Sequence, residues 1–155
     1  MAIIPPEDGL SDKNIEFYQP IPSAEQLRRE IPLNGGAETV TRTRNEAEAI
    51  LSGRSQRRIV IAGPCSVHDI GEARYLLEEI KSFAEEVRDV FLIITRLCYE
   101  KPRTGPSWTG YLWDPNMDDT CDLEKGLRDT RSLLVHAAQL GAGASAEFVE
   151  TEVIP

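Results

Sequence analysis

The chain has few cysteines, no excess of positive charge and no long apolar run, and each shortage narrows what it can be. Cys65, Cys98 and Cys121 are odd in number and form no C-x-x-C pair, which sets aside a disulfide framework and points to a reducing compartment. Lys and Arg number 17 against 26 Asp and Glu, a formal net charge of −9. Phosphate backbones require a basic face, and none is visible, so no nucleic-acid partner is expected. Apolar runs such as Ile59-Val60-Ile61-Ala62 are far too short to cross a bilayer. The opening MAIIPPEDGL has neither the basic region nor the apolar stretch of a signal peptide. The expectation is a cytoplasmic protein without membrane contact. What is present is a globular composition, 41% hydrophobic and 28% charged over 155 residues. A single compact domain of that length buries roughly 68–70% of its unfolded surface.

The chain divides near residue 58. Residues 1–58 read as an arm and helices. The first 22 residues carry Pro5, Pro6, Pro20 and Pro22 without a sustained period, and Ile15, Phe17, Tyr18 and Ile21 are too apolar to leave in water. Ser23, with Gln26 three residues on, is a capping-box pattern that opens a short helix ending at Pro32. Asn34-Gly35-Gly36 is a turn, and a second helix follows from about Glu38 to Ser52, stopped by Gly53. Residues 59–155 change pattern. Ile59 to Ala62 is an unbroken apolar run, the mark of a strand covered on both faces. Apolar residues at helical spacing run from about Gly71 to Arg88, and Asp69 and Glu72 at their start suit the helix dipole. A strand over 90–95, a long loop, a helix over about 122–140 ended by Gly141, and a third strand over Ala142–Val149 complete the order. Such alternation predicts right-handed βαβ units and a parallel sheet, with ligands beyond the carboxyl ends of the strands.

The segments beyond those ends hold the candidate chemistry. Thr95 to Pro115 brings Arg96, Lys101 and Arg103 together just past a strand in an acidic chain. Pro102, Gly105, Pro106 and Gly110 keep it an ordered loop, and Tyr99, Trp108, Tyr111 and Trp113 give it mass to pack. Two readings stand: a solvated basic loop with an aromatic anchor, or a phosphate-binding loop built on guanidinium forks and an ammonium charge. Cys65, in Gly63-Pro64-Cys65-Ser66, is either a soft metal ligand or nucleophile, or a small buried thiol. His68 either completes a C-x-x-H pair with it or is a first-turn residue. Glu147 is either a proton-transfer group or a solvated carboxylate. His136, inside a helix, reads as structural, and Cys98 and Cys121 have no supporting partners nearby.

Taken together, Ile61-Ala-Gly-Pro-Cys-Ser-Val-His-Asp69 and Glu100-Lys-Pro-Arg-Thr104, with Trp108, Gly110 and Asp114-Pro115 spaced behind, resemble the first part of a type I 3-deoxy-D-arabino-heptulosonate 7-phosphate (DAHP) synthase of the phenylalanine- or tyrosine-sensitive kind. Asn116-Met117-Asp118, Gly126-Leu127-Arg128 and Ala146-Glu147-Phe148 extend the likeness from about residue 14 to the end.

The resemblance implies the N-terminal portion of a (β/α)8 barrel, about three βα units plus the helical arm. It implies condensation of phosphoenolpyruvate with erythrose 4-phosphate, the first step of aromatic amino acid synthesis. It matches Cys65 to a ligand of a divalent metal of the manganese, iron, cobalt or zinc class, with the other ligands on later strands. It matches Arg96 and Lys101 to the phosphoenolpyruvate site, Lys101-Pro102-Arg103-Thr104 to the sugar-phosphate site, and Glu147 to a carboxylate near the attacking water, so Lys101 and Glu147 become the catalytic candidates. After Thr104 the chain departs from the family's Thr-Val-Gly-Trp-Lys-Gly and reads Gly105-Pro106-Ser107-Trp108-Thr109-Gly110. Pro155 falls just past the third barrel strand. The chain is therefore expected to be a truncated synthase, inactive and metal-free by itself, that forms homo-oligomers or docks on a full-length relative. The alternative is a non-catalytic remnant that binds such a relative or a phosphorylated ligand.

Overall fold

The computed structural model describes residues 20–149. The apolar residues Ile15, Phe17 and Tyr18 of the arm, and Glu150, lie outside the described residues. Helix α1 (Ala24–Glu30) opens where the Ser23 hydroxyl accepts the Gln26 N–H at 3.1 Å, and Pro32 follows its end. A single 3-10 turn (Asn34–Gly36) leads into α2 (Ala37–Leu51). Strand β1 (Arg58–Ala62) is followed by α3 (Ile70–Glu86), whose N-cap Asp69 accepts the Glu72 N–H at 2.8 Å. Strand β2 (Phe91–Arg96), α4 (Leu123–Leu140) and β3 (Ala144–Ser145) complete the order. Asp122 caps α4 through the Lys125 N–H, and Gly141 at φ +83° ends it in the left-handed conformation. The expected helix bounds hold to within one or two residues, the usual fraying at helix ends.

The three strands are parallel in the order β1-β2-β3. Arg58 pairs with Phe91 through to Ala62 with Thr95, and Thr95 and Arg96 pair with Ala144 and Ser145. This is a mixed α/β arrangement with a small parallel sheet, as the alternation of elements requires.

Two expectations need correction. Strand β1 is not covered on both faces: Val60 is 37% and Ile61 59% exposed. Its run is apolar enough for burial, but among the described residues β2 is its one sheet neighbour, so the other edge is open. The third strand is also much shorter than Ala142–Val149. The ladder is extended only by Thr95 N–H donating to the Gly143 carbonyl and Leu97 N–H to the Ser145 carbonyl, both at 2.8 Å. Past Ser145 the chain leaves the sheet.

The core lies between α3, α4 and the loop after β2. Leu77, Leu112 and Leu133 are fully buried, and Tyr99 and Tyr111 are 1% and 5% exposed. The aromatic loop is therefore part of the core, with Trp108 and Trp113 packed at its margin. Gly110 closes it at φ +110°, where a Cβ would stand 2.4 Å from the Tyr99 carbonyl oxygen. Only glycine combines that conformation with that approach.

Candidate anion-binding site

The parallel register delivers the ends of β1 and β2 side by side. Gly63 makes this possible, since a Cβ there would lie 2.2 Å from the Arg96 carbonyl oxygen. The close approach sets the Pro64 and Cys65 carbonyls against the Arg96 side chain. Arg96 Nη1 donates to Pro64 O at 2.9 Å and to Cys65 O at 3.4 Å. Its Nη2 donates to Glu147 Oε1 at 2.6 Å, across 51 residues of sequence. Lys101 Nζ donates to the Cys65 carbonyl and stands 3.8 Å from Cys65 Sγ. Cys65, Arg96, Lys101 and Glu147 thus form one cluster, on the carboxyl side of the sheet where the topology predicts a ligand.

The electrostatics of the cluster centre on one pair. The hydrogen bond from Arg96 holds the Glu147 carboxyl below the usual carboxylate range, and the Arg96 and Lys101 charges add to it. The same bond raises Arg96. Glu147 is therefore an anion, half-exposed, facing the fixed guanidinium. Cys65 carries an exposed thiol, which sets aside the reading of a small buried cysteine. Cys98 is the buried one, its thiol donating to the Glu100 carbonyl at 3.2 Å.

The other candidates separate from this cluster. The Arg103 guanidinium is tied back within its own loop, Nε donating to the Trp108 carbonyl at 2.9 Å. Pro102 and Thr104 lie exposed beside it. His68 turns to Glu72, Nε2 to Oε2 at 3.2 Å, as a residue at the entry to α3. His136 sits within α4, its Nε2 buried and without a hydrogen-bond partner among the described residues. Among the described residues no three His, Cys, Asp or Glu side chains converge to hold a metal ion. Cys65 is one donor, and one thiolate does not make a site.

Glu100 is the residue that sequence reasoning passed over. It is 1% exposed, and its carboxylate accepts the Trp113 indole N–H at 3.2 Å and the Val149 backbone N–H at 3.3 Å. Buried carboxylates are costly unless hydrogen-bonded, and here the two donors come from the loop and from the segment carrying Glu147. Glu100 thereby pins that segment against the cationic loop. Its charge adds to burial in pushing the Tyr99 phenol upward. Nothing in a lone Glu between Tyr99 and Lys101 signals this, because both donors are distant in sequence.

A cavity of about 570 Å³ lies elsewhere, between α2, α3 and β2. Its charged lining is largely self-neutralised, Arg57 pairing with Glu46 and Lys81 with Glu85. The four-residue cluster instead sits at the strand ends, with Cys65 exposed.

The family model described as the DAHP synthetase I family matches residues 36–154. The chain is 38% identical over 144 residues to the phospho-2-dehydro-3-deoxyheptonate aldolase of Amycolatopsis methanolica, covering 92% of this chain and 71% of that protein. It is 34% identical over 145 residues to the Tyr-sensitive phospho-2-dehydro-3-deoxyheptonate aldolase of Escherichia coli, covering 93% of this chain and 41% of that one. The solved phospho-2-dehydro-3-deoxyheptonate aldolase of Francisella tularensis superposes with a TM-score of 0.85 at 34% identity, over 90% of this chain and 41% of that chain. The chain thus spans about two fifths of the length of the latter two. With the sequence match enclosing all four clustered residues and the fold agreeing over nine tenths of its length, the chain belongs to the DAHP synthetase I family.

Proposed function

We propose that the chain carries the phosphoenolpyruvate side of a DAHP synthase, the enzyme that joins phosphoenolpyruvate to erythrose 4-phosphate. The observation that carries this reading is the convergence of Arg96 and Lys101 on Cys65 at the ends of adjacent parallel strands. A forked guanidinium and an ammonium side by side suit a ligand bearing both phosphate and carboxylate. In the reaction, C3 of the enol ether adds to the aldehyde carbon of the sugar phosphate, water adds at C2, and the C2–O bond breaks as inorganic phosphate leaves. Arg96 and Lys101 would hold the anionic groups. Glu147, kept ionised in the cluster, would take the proton from the entering water. Pro102, Arg103 and Thr104, on the exposed limb of the loop, would receive the second phosphate. The three strands would be the first three of a (β/α)8 barrel, a reading supported by the agreement with the Francisella enzyme. Residues 1–58 would precede that barrel, and residues 59–155 would begin it. Cys65 would be the chain's own contribution to a divalent metal site, which the described residues do not complete.

The test is phosphoenolpyruvate binding at low ionic strength by isothermal titration. Lys101→Ala should remove most of the affinity. Lys125→Ala, on a lysine paired with Asp129 on α4, should change little. Equal losses from the two would mean diffuse attraction and no site.

A further inference from the structure

We propose that Glu147 is the resident counter-anion of this site, occupying Arg96 until an anionic ligand displaces it. The proposal rests on the phosphoenolpyruvate reading and adds how the affinity of that site is set. Arg96 is held through Nη1 by the Pro64 and Cys65 carbonyls, at 2.9 and 3.4 Å, so its orientation does not depend on Glu147. Its Nη2, the donor an incoming anion would use, is taken by Glu147 Oε1 at 2.6 Å. The other two cations have neutral acceptors as their partners. Lys101 donates to the Cys65 carbonyl and Arg103 to the Trp108 carbonyl, so among the described residues neither has a carboxylate to displace.

The Glu147 side is built to yield. Its side chain is 44% exposed. Its segment lies beyond Ser145, the last residue paired in the sheet, and Val149 N–H on Glu100 tethers it from the far side. The carboxylate can swing off Arg96 without breaking the β-ladder. An anion that takes Nη2 therefore releases a free carboxylate beside itself, so occupancy of the site and availability of a base are one event. If Glu147 instead only positioned Arg96, its removal would weaken binding. The two roles predict opposite signs.

The experiment is isothermal titration of phosphoenolpyruvate into the 155-residue chain, into E147Q, into R96A, into the double variant R96A/E147Q and into K101A, at low ionic strength. Loss of a competing half-exposed ion pair should tighten binding by E147Q about two- to fivefold, and the gain should vanish in R96A/E147Q. Unchanged, weaker or unmeasurable binding by E147Q overturns the proposal. So does a gain that survives R96A, which would report the general field and no displacement. K101A separates the two readings. If it binds as tightly as the native chain, the phosphoenolpyruvate site itself fails. If it weakens binding while E147Q brings no gain, only the counter-anion role fails.

Discussion

Replacing Glu100 tests whether the cationic loop and the Glu147 segment are held together by one buried carboxylate. In Glu100→Ala the Trp113 indole N–H and the Val149 N–H lose their acceptor at a site where Glu100 is 1% exposed. Hydrogen bonds to a charged group contribute about 1.5–3 kcal/mol each, and a buried donor left unpaired costs about 1–3 kcal/mol. Relief from burying the carboxylate offsets part of that, because Glu100 accepts here from two neutral N–H groups. The net expectation is a loss of about 2–4 kcal/mol for Glu100→Ala. Glu100→Gln keeps one oxygen acceptor and the shape, so it should lose about 1 kcal/mol. Urea titration followed by tryptophan fluorescence reads both: the midpoint should fall in the order native, Gln, Ala with the slope unchanged. The Ala variant should also weaken phosphoenolpyruvate binding, because the loop that presents Lys101 loses its anchor to Trp113. Two variants within about 0.5 kcal/mol of native would show that the Glu100 carboxylate ties nothing together.

Gly110→Ala should cost at least about 1–3 kcal/mol, since φ +110° and a 2.4 Å contact with the Tyr99 carbonyl are both closed to a Cβ; a native urea midpoint would refute the tight closure of the loop. The Glu147 carboxyl is depressed by Arg96, so the pair stabilises the fold above the ordinary carboxylate range and its contribution is lost as pH falls through the lowered value. In Arg96→Ala the Glu147 carboxyl should titrate closer to its ordinary range in carbon NMR, and an unmoved titration would refute the pairing. Val60 and Ile61 are exposed on the open strand, each forgoing part of roughly 1.5–3 kcal/mol of burial. The chain should therefore scatter light increasingly at micromolar concentration, and Ile61→Lys should reduce that. The 155-residue chain, assayed with manganese for phosphate release that needs both phosphoenolpyruvate and erythrose 4-phosphate, should show no turnover, because among the described residues no three side chains converge to hold a metal ion. Release near that of an intact synthase would refute this.

The parts legible in sequence are those written within a few neighbouring residues. Ser23 announces its helix because an N-cap bonds the N–H three residues on, and Asp69 and Glu72 announce theirs by standing where the helix dipole favours negative charge. The apolar runs at 59–62 and 90–95 name their strands because a short unbroken run between loops has few other uses. Arg96, Lys101 and Cys65 could be nominated because parallel strands send their carboxyl ends to one side. Pairings that cross the chain were not legible. The Arg96–Glu147 bond spans 51 residues and the Glu100–Val149 bond 49, and neither leaves a periodic trace. Arg103, adjacent in sequence to the clustered cations, is drawn off by a carbonyl five residues away. A run of cations in sequence is therefore no guide to how many charges meet in space.

The exposure of β1 makes the same point from the opposite side. Apolar sequence records the burial a strand is suited to, while its actual burial depends on what lies against it. Ile59 to Ala62 has the composition of an interior strand, yet the described residues give it one neighbour and leave Ile61 mostly in water. The loop after β2 is the reverse case: its prolines, glycines and cations read as surface, yet Tyr99, Glu100 and Leu112 are fully buried. The candidate site therefore has its foundation on the loop side, where Glu100, Trp113 and Gly110 fix Lys101 and the Glu147 segment. The β1 side contributes only two backbone carbonyls and a thiol. Substitutions on β1 should accordingly act on self-association first, and those around Glu100 on the geometry of the anion site.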